Sequence, residues 1–139
     1  MLVRAELQGG DWIQMSHSGS EWHVEARGSL RLLDEAQRLR SLLPKDPRTW
    51  PVPELPDSQV QDPVILLVRE LILKLQNKWT FPFEDRELCH CRAIPTTHVD
   101  SAIVATACTV DRVTRLTNAG SACGTCKPDI EKIIHYRRG

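Results

Sequence analysis

The sequence predicts an α+β N-terminal unit (a small antiparallel meander plus two helices) followed by a small all-α helix-turn-helix domain. Three observations carry that expectation. Period-2 alternation broken by glycine turns occupies the first thirty or so residues. Two apolar segments at helical spacing follow, one on either side of a proline-rich connector. Four of the five cysteines then fall in two close pairs in the last 51 residues of the chain, where strand signal is lacking. The boundary between the units is expected at 84/85, giving domains 1–84 and 85–139.

Leu2 to Leu7 alternates weakly and Gly9-Gly10 breaks it. Trp12 to Ser16 then faces Glu21 to Ala26 across a turn at Ser18-Gly19-Ser20, with Trp22, Val24 and Ala26 on one face. Ser29 has the character of an N-cap for a helix to about Leu43, in which Leu32, Ala36, Leu39 and Leu43 form one stripe before Pro44 stops it. Pro44 to Pro63 holds six prolines and no periodicity, so it reads as an extended connector anchored by Trp50. Asp62-Pro63 supplies an N-cap and a first-position proline for a buried helix from Val64 to about Lys78. Phe81-Pro82-Phe83 is expected to close the N-terminal unit, whose four tryptophans (Trp12, Trp22, Trp50, Trp79) read as core.

In the C-terminal domain Thr97 is expected to cap a helix to about Ala107, with Asp100 as its capping-box acid. Thr109 caps the next, Val110 to Asn118, and Gly120 ends it. Pro128 opens a last helix that turns Ile130, Ile133 and Ile134 inward.

Composition excludes several classes of protein. The net charge is zero over 139 residues, which argues against a non-specific nucleic-acid binder. Residues 1–85 carry ten Lys/Arg against thirteen Asp/Glu and residues 86–139 eight against five, so the cysteine domain is mildly basic. The most apolar stretch, Val64 to Leu75, is too short and too charged to cross a bilayer, and no membrane partner is expected. No signal peptide is apparent after Met1, and paired thiols holding metal suit a reducing, cytoplasmic setting.

The cysteines carry the chemistry. Cys89 and Cys91 form a Cys-x-Cys pair, Cys123 and Cys126 a Cys-x-x-Cys pair, with thirty-one residues between them. Two bidentate thiolate clamps make a closed four-sulfur cage that suits an iron–sulfur cluster or a structural zinc. Scattered core thiols or two disulfides explain such close pairing less well. Zinc sites usually hang their pairs on hairpins, whereas here helices are expected to do the spacing. Cys108 lies apart from both pairs and needs no role beyond packing. His90 is expected to point away from the metal, and His17, His23, His98 and His135 to lie at the surface. Arg92 and Lys127, each directly after a ligand candidate, could compensate cluster charge.

Cys89-His90-Cys91, Val110-Asp111-Arg112-Val113 and the run from Ala119 to Pro128 through Cys123-Gly124-Thr125-Cys126-Lys127 carry a further signal. Residues 86–139 resemble the bacterioferritin-associated-ferredoxin-like (BFD-like) [2Fe-2S] domain, which also forms the middle of NifU proteins. The resemblance implies a [2Fe-2S] cluster held by Cys89, Cys91, Cys123 and Cys126, in a small all-α helix-turn-helix [2Fe-2S] domain. Element order alone makes the N-terminal part similar to a shortened NifU scaffold domain, but residues 1–88 contain no cysteine, so the scaffold's cluster-assembling ligands are missing.

No nucleophile–base pair or phosphate loop is evident, so the chain is not expected to be an enzyme. The leading expectation is a ferredoxin-like protein passing single electrons to or from a protein partner. The alternatives are cluster or iron trafficking, with delivery to an acceptor or release of stored iron, and a structural zinc module.

Overall fold

A computed structural model describes residues 2–7, 10–43, 46–53, 63–83, 86–89, 93–105, 109–121, 124 and 126–138. Backbone contacts divide the chain into two compact units: residues 1–54 with 64–79, and residues 55–63 with 80–139.

The N-terminal unit opens with three antiparallel strands in the order β1 (Leu2–Glu6), β2 (Trp12–Ser18), β3 (Glu21–Arg27). Register places Ala5 against Ile13, Ile13 against Ala26, and Met15 against Val24. Period-2 geometry then puts these residues on one face, where Ala5, Ile13, Met15 and Val24 are buried. Gly19 takes the left-handed conformation that the two-residue turn between β2 and β3 requires. Helix α1 (Leu30–Leu42) packs across β3 and buries Leu32, Ala36 and Leu39, the expected stripe. Its cap is as expected: the Ser29 hydroxyl accepts from Leu32 N–H.

Helix α2 (Pro63–Leu75) is buried along nearly its whole length, and its buried Glu70 is neutralised by Lys74 at 2.7 Å. The same ammonium donates to the Arg4 carbonyl of β1 at 2.9 Å, and Gln76 donates to the Trp50 carbonyl. The helix ends three residues short of the expected Lys78, because Asn77 adopts φ +57°. Lys78 N–H then bonds back to Leu73 O, and Asn77 N–H to Lys74 O. That pattern is a Schellman stop, which asparagine tolerates better than most side chains. Asp62, the expected cap, lies outside the described residues.

Of the four tryptophans only Trp50 is core, at 4% exposure. Trp12, Trp22 and Trp79 are half-buried, each under a cation: Arg4 at 4.3 Å, Arg48 at 5.9 Å and Lys74 at 5.8 Å. Their amphipathic rings therefore line the edge of this unit rather than its centre. His17 stacks on Trp22 at 4.4 Å and is half-buried, whereas His23, His98 and His135 are exposed as expected.

The C-terminal unit is helical, with α3 (Thr96–Ala105), α4 (Val110–Thr117) and α5 (Lys127–Arg138) around a core of Leu88, Val99, Ile103, Val113, Ala119, Cys126, Ile130 and Ile133. Two expectations are corrected here. Phe81 and Phe83 do not close the N-terminal unit; they pack on this second core, where Phe81 meets Tyr136 edge-on and the Tyr136 hydroxyl accepts from Thr80 N–H at 2.8 Å. The expected boundary at 84/85 itself lies outside the described residues. The region also has a strand pair: β4 (Glu87–Cys89) runs antiparallel to β5 (Ile94–Pro95). A ladder this short, bulged and ending in proline has too little periodicity to register as strand in a sequence.

Candidate metal centre

The short strand pair carries Cys89 of the first cysteine pair, and Cys91 lies outside the described residues. Cys89 is the last residue of β4, and Thr96 N–H extends the ladder to Arg86 O at 2.7 Å as the chain turns directly into α3. The return from the loop passes through Ala93 at φ +53°, a left-handed conformation that costs an L-residue about 1–2 kcal/mol. Cys89 thus ends a paired strand, and the lack of strand signal in this part of the sequence no longer argues against zinc.

The second pair lies between α4 and α5. The Thr109 hydroxyl caps α4 by accepting from Arg112 N–H, as expected, and Asn118 ends it in the left-handed region at φ 66°. Three hydroxyls then fix the exit. Thr114 donates to Ala119 O at 2.8 Å, Thr117 donates to Val113 O and accepts from Ala119 N–H, and Ser121 donates to Asn118 O. These bonds satisfy backbone groups that the helix end leaves unpaired and fix the turn through Ser121.

Cys126 immediately precedes α5, and its carbonyl accepts from Ile130 N–H at 3.0 Å, the N-cap relationship. Its side chain is 6% exposed and belongs to the hydrophobic core. The positive end of the helix favours a thiolate at this position by about 0.3–1 kcal/mol.

Two left-handed glycines lie before α5, and Gly120 is the one beside the sulfur. A Cβ on Gly120 (φ +79°) would meet Lys127 Cγ at 3.3 Å, Thr114 Oγ1 at 3.5 Å and Cys126 Sγ at 3.6 Å. One on Gly124 (φ +71°) would meet Lys127 Cε and Cδ at 3.7 and 3.8 Å. The Gly120 backbone thus lies close to the sulfur, at a positive φ that side chains rarely adopt. A soft ligand at a helix N-terminus, beside a left-handed glycine, fits a sulfur-ligated metal centre.

Among the described residues no three metal-ligating side chains converge. Of the expected ligands, Cys126 is the one whose side chain is described; Cys89 is placed through its backbone, and Cys91 and Cys123 lie outside the described residues with His90, Arg92 and Cys108. Lys127 is exposed at its base position, with its alkyl chain laid across both glycines.

Residues 88–136 match the family model described as the BFD-like [2Fe-2S] binding domain. This segment is a BFD-like [2Fe-2S] domain. Its cofactor is accordingly a [2Fe-2S] cluster rather than zinc. No curated protein and no solved structure matches the chain, and nothing links residues 1–87 to a NifU scaffold. No described helix is long and apolar enough to cross a membrane.

Other residues that support the site carried no legible signal. Asp100 does not act as a capping acid, since α3 starts at Thr96 and already includes Thr97. Instead the Asp100 carboxylate receives a two-pronged bond from Arg137 of α5, Nε to Oδ1 at 2.8 Å and Nη2 to Oδ2 at 2.7 Å. Arg137 is 4% exposed, so this clasp ties α3 to α5 from inside the BFD-like domain. Thr114 and Thr117 read in sequence as ordinary helix residues, and only the path of the chain after α4 reveals their work.

Proposed function

We propose that this protein is a non-enzymatic, single-electron carrier acting with a protein partner, its [2Fe-2S] cluster ligated by Cys89, Cys91, Cys123 and Cys126. The observation that carries the reading is the burial of Cys126 at the start of α5, beside the Gly120 cradle, within the BFD-like segment. When bound, a four-thiolate [2Fe-2S] cluster supplies one-electron chemistry at a potential set by burial, charge and hydrogen bonds to sulfur. The chain's part is to hold that environment fixed. The hydroxyl bonds after α4, the Asp100–Arg137 clasp and the N-capped α5 keep the Cys126 side rigid, so little structural change accompanies a change in charge. The absence of cysteine from residues 1–88 leaves that unit no thiolates with which to build a cluster, which favours carrying over assembly.

A redox titration of anaerobically purified protein tests the reading. A reversible one-electron couple, with a visible spectrum that returns on reoxidation, is the expected result. A cluster that moves to an apo-acceptor and shows no reversible couple would replace electron transfer with cluster delivery.

A further inference from the structure

We propose that the outer face of α4 is the docking surface for a protein partner that presents an apolar centre with acidic residues around it. The inference rests on the electron-transfer reading above and names the chemistry of the partner.

Val113 and Thr117 are buried on the inner side of α4. Arg112, Arg115 and Leu116 lie within about 100° of one another on the opposite side, at 3.6 residues per turn. Leu116 is 52% exposed, and no other large apolar residue described in the C-terminal unit is as open. Covering it with a partner removes from water apolar surface that folding leaves exposed here.

These two arginines differ from those of the molecule that an acid holds. Arg38, Arg48 and Arg137 are each held by a carboxylate, but among the described residues neither Arg112 nor Arg115 makes an ion pair through its side chain. The one acid of α4, Asp111, sits in the first turn, where it complements the positive end of the helix dipole. The surrounding segment is basic as well, eight cations to five acids over residues 86–139. Two unpaired guanidinium groups beside an open leucine match an acidic rim around an apolar centre. Rim charges of this kind raise the encounter rate and are weakened by salt.

Position links this face to the cluster. Thr114, on the same helix, stands 3.5 Å from the point where a Gly120 Cβ would sit, and Cys126 Sγ stands 3.6 Å from it. A partner seated on α4 therefore rests on the helix that borders the sulfur cradle, one helix diameter, roughly 10 Å, from it. Such an interface belongs to the small, transient class, below about 1,200 Å².

The test uses reduced holoprotein and tris(oxalato)cobaltate(III), an anionic oxidant: one electron leaves the cluster and cobalt(III) becomes cobalt(II). By stopped flow, the rate should fall several-fold from low to high salt. Arg112→Gln with Arg115→Gln should slow the low-salt reaction several-fold and flatten the salt dependence, and the Lys pair at the same positions should restore it. Arg27→Gln with Lys78→Gln removes equal charge from the N-terminal unit, where both side chains are exposed, and should leave the parent profile. A random Glu/Tyr copolymer should inhibit the reaction more strongly than poly-glutamate, and Leu116→Ser should abolish that difference. The proposal is overturned if the α4 pair keeps the parent salt profile, if the control pair flattens it equally, or if duplex DNA inhibits better than the Glu/Tyr copolymer. A protein with no reversible couple defeats the electron-transfer reading itself, whereas an intact couple with α4 variants like the parent defeats the docking surface alone.

Discussion

The two units solve the problem of a small core in different ways. The N-terminal unit buries long aliphatic residues from three strands and two helices: Ile13, Met15, Leu32, Leu39, Leu66, Leu67 and Leu71 are all essentially inaccessible. Its polar groups serve the edges, as Lys74 does in neutralising Glu70 and reaching Arg4 O. The BFD-like unit has a thinner core in which a cysteine sits among a few branched residues, and it adds polar ties within that core, namely Asp100–Arg137 and the Thr114 and Thr117 hydroxyls. One unit is held chiefly by apolar burial. The other is expected to draw on its metal, because a thin core recovers little from burial to offset chain entropy.

The largest test of that contrast is removal of the cluster. Chelation under reducing conditions should abolish the thermal transition of the C-terminal unit while leaving that of the N-terminal unit in place, followed by calorimetry on the full chain. Melting of both units together, or of neither, breaks the comparison.

Next in size are two substitutions with opposite reach. Leu39→Ala should cost the N-terminal unit about 2–5 kcal/mol without altering the visible spectrum. Asp100→Asn leaves a buried guanidinium facing a neutral amide and should cost the C-terminal unit about 3 kcal/mol. Denaturant titration monitored by cluster absorbance and by tryptophan emission separates them, since every tryptophan lies at or before residue 79.

Smaller effects sharpen the account of the loops. Gly120→Ala should cost about 1–2 kcal/mol from its left-handed backbone, and should also shift the cluster spectrum, because the new methyl group enters the cradle beside Cys126. Ala93→Gly should do the reverse, stabilising the first loop by up to about 1 kcal/mol with the spectrum unchanged.

The sequence made the N-terminal unit legible because its signals are local. Alternation in the strands, Ser29 as cap, and the stripe of Leu32, Ala36 and Leu39 each sit within a single element. It also made the cysteine pairs legible, since their spacing is itself the signal. What it did not show depends on contacts between distant positions. Asp100 pairs across 37 residues with Arg137, and Phe81 packs on the second core, where it meets Tyr136 far along the chain. Trp12, Trp22 and Trp79 looked like core because composition records an aromatic ring and not the cation that covers it. The short β4–β5 ladder escaped for a related reason: five residues with a bulge and a proline have no period to read.

If the C-terminal unit alone carries the metal, as a [2Fe-2S] cluster on four cysteines, iron and acid-labile sulfide analysis of anaerobically purified protein will show it. Two irons and two sulfides per chain are expected, lost when Cys89, Cys91, Cys123 or Cys126 is replaced by Ser and retained in Cys108→Ser. Stoichiometric zinc without sulfide, or loss of the cluster with Cys108→Ser alone, would contradict it.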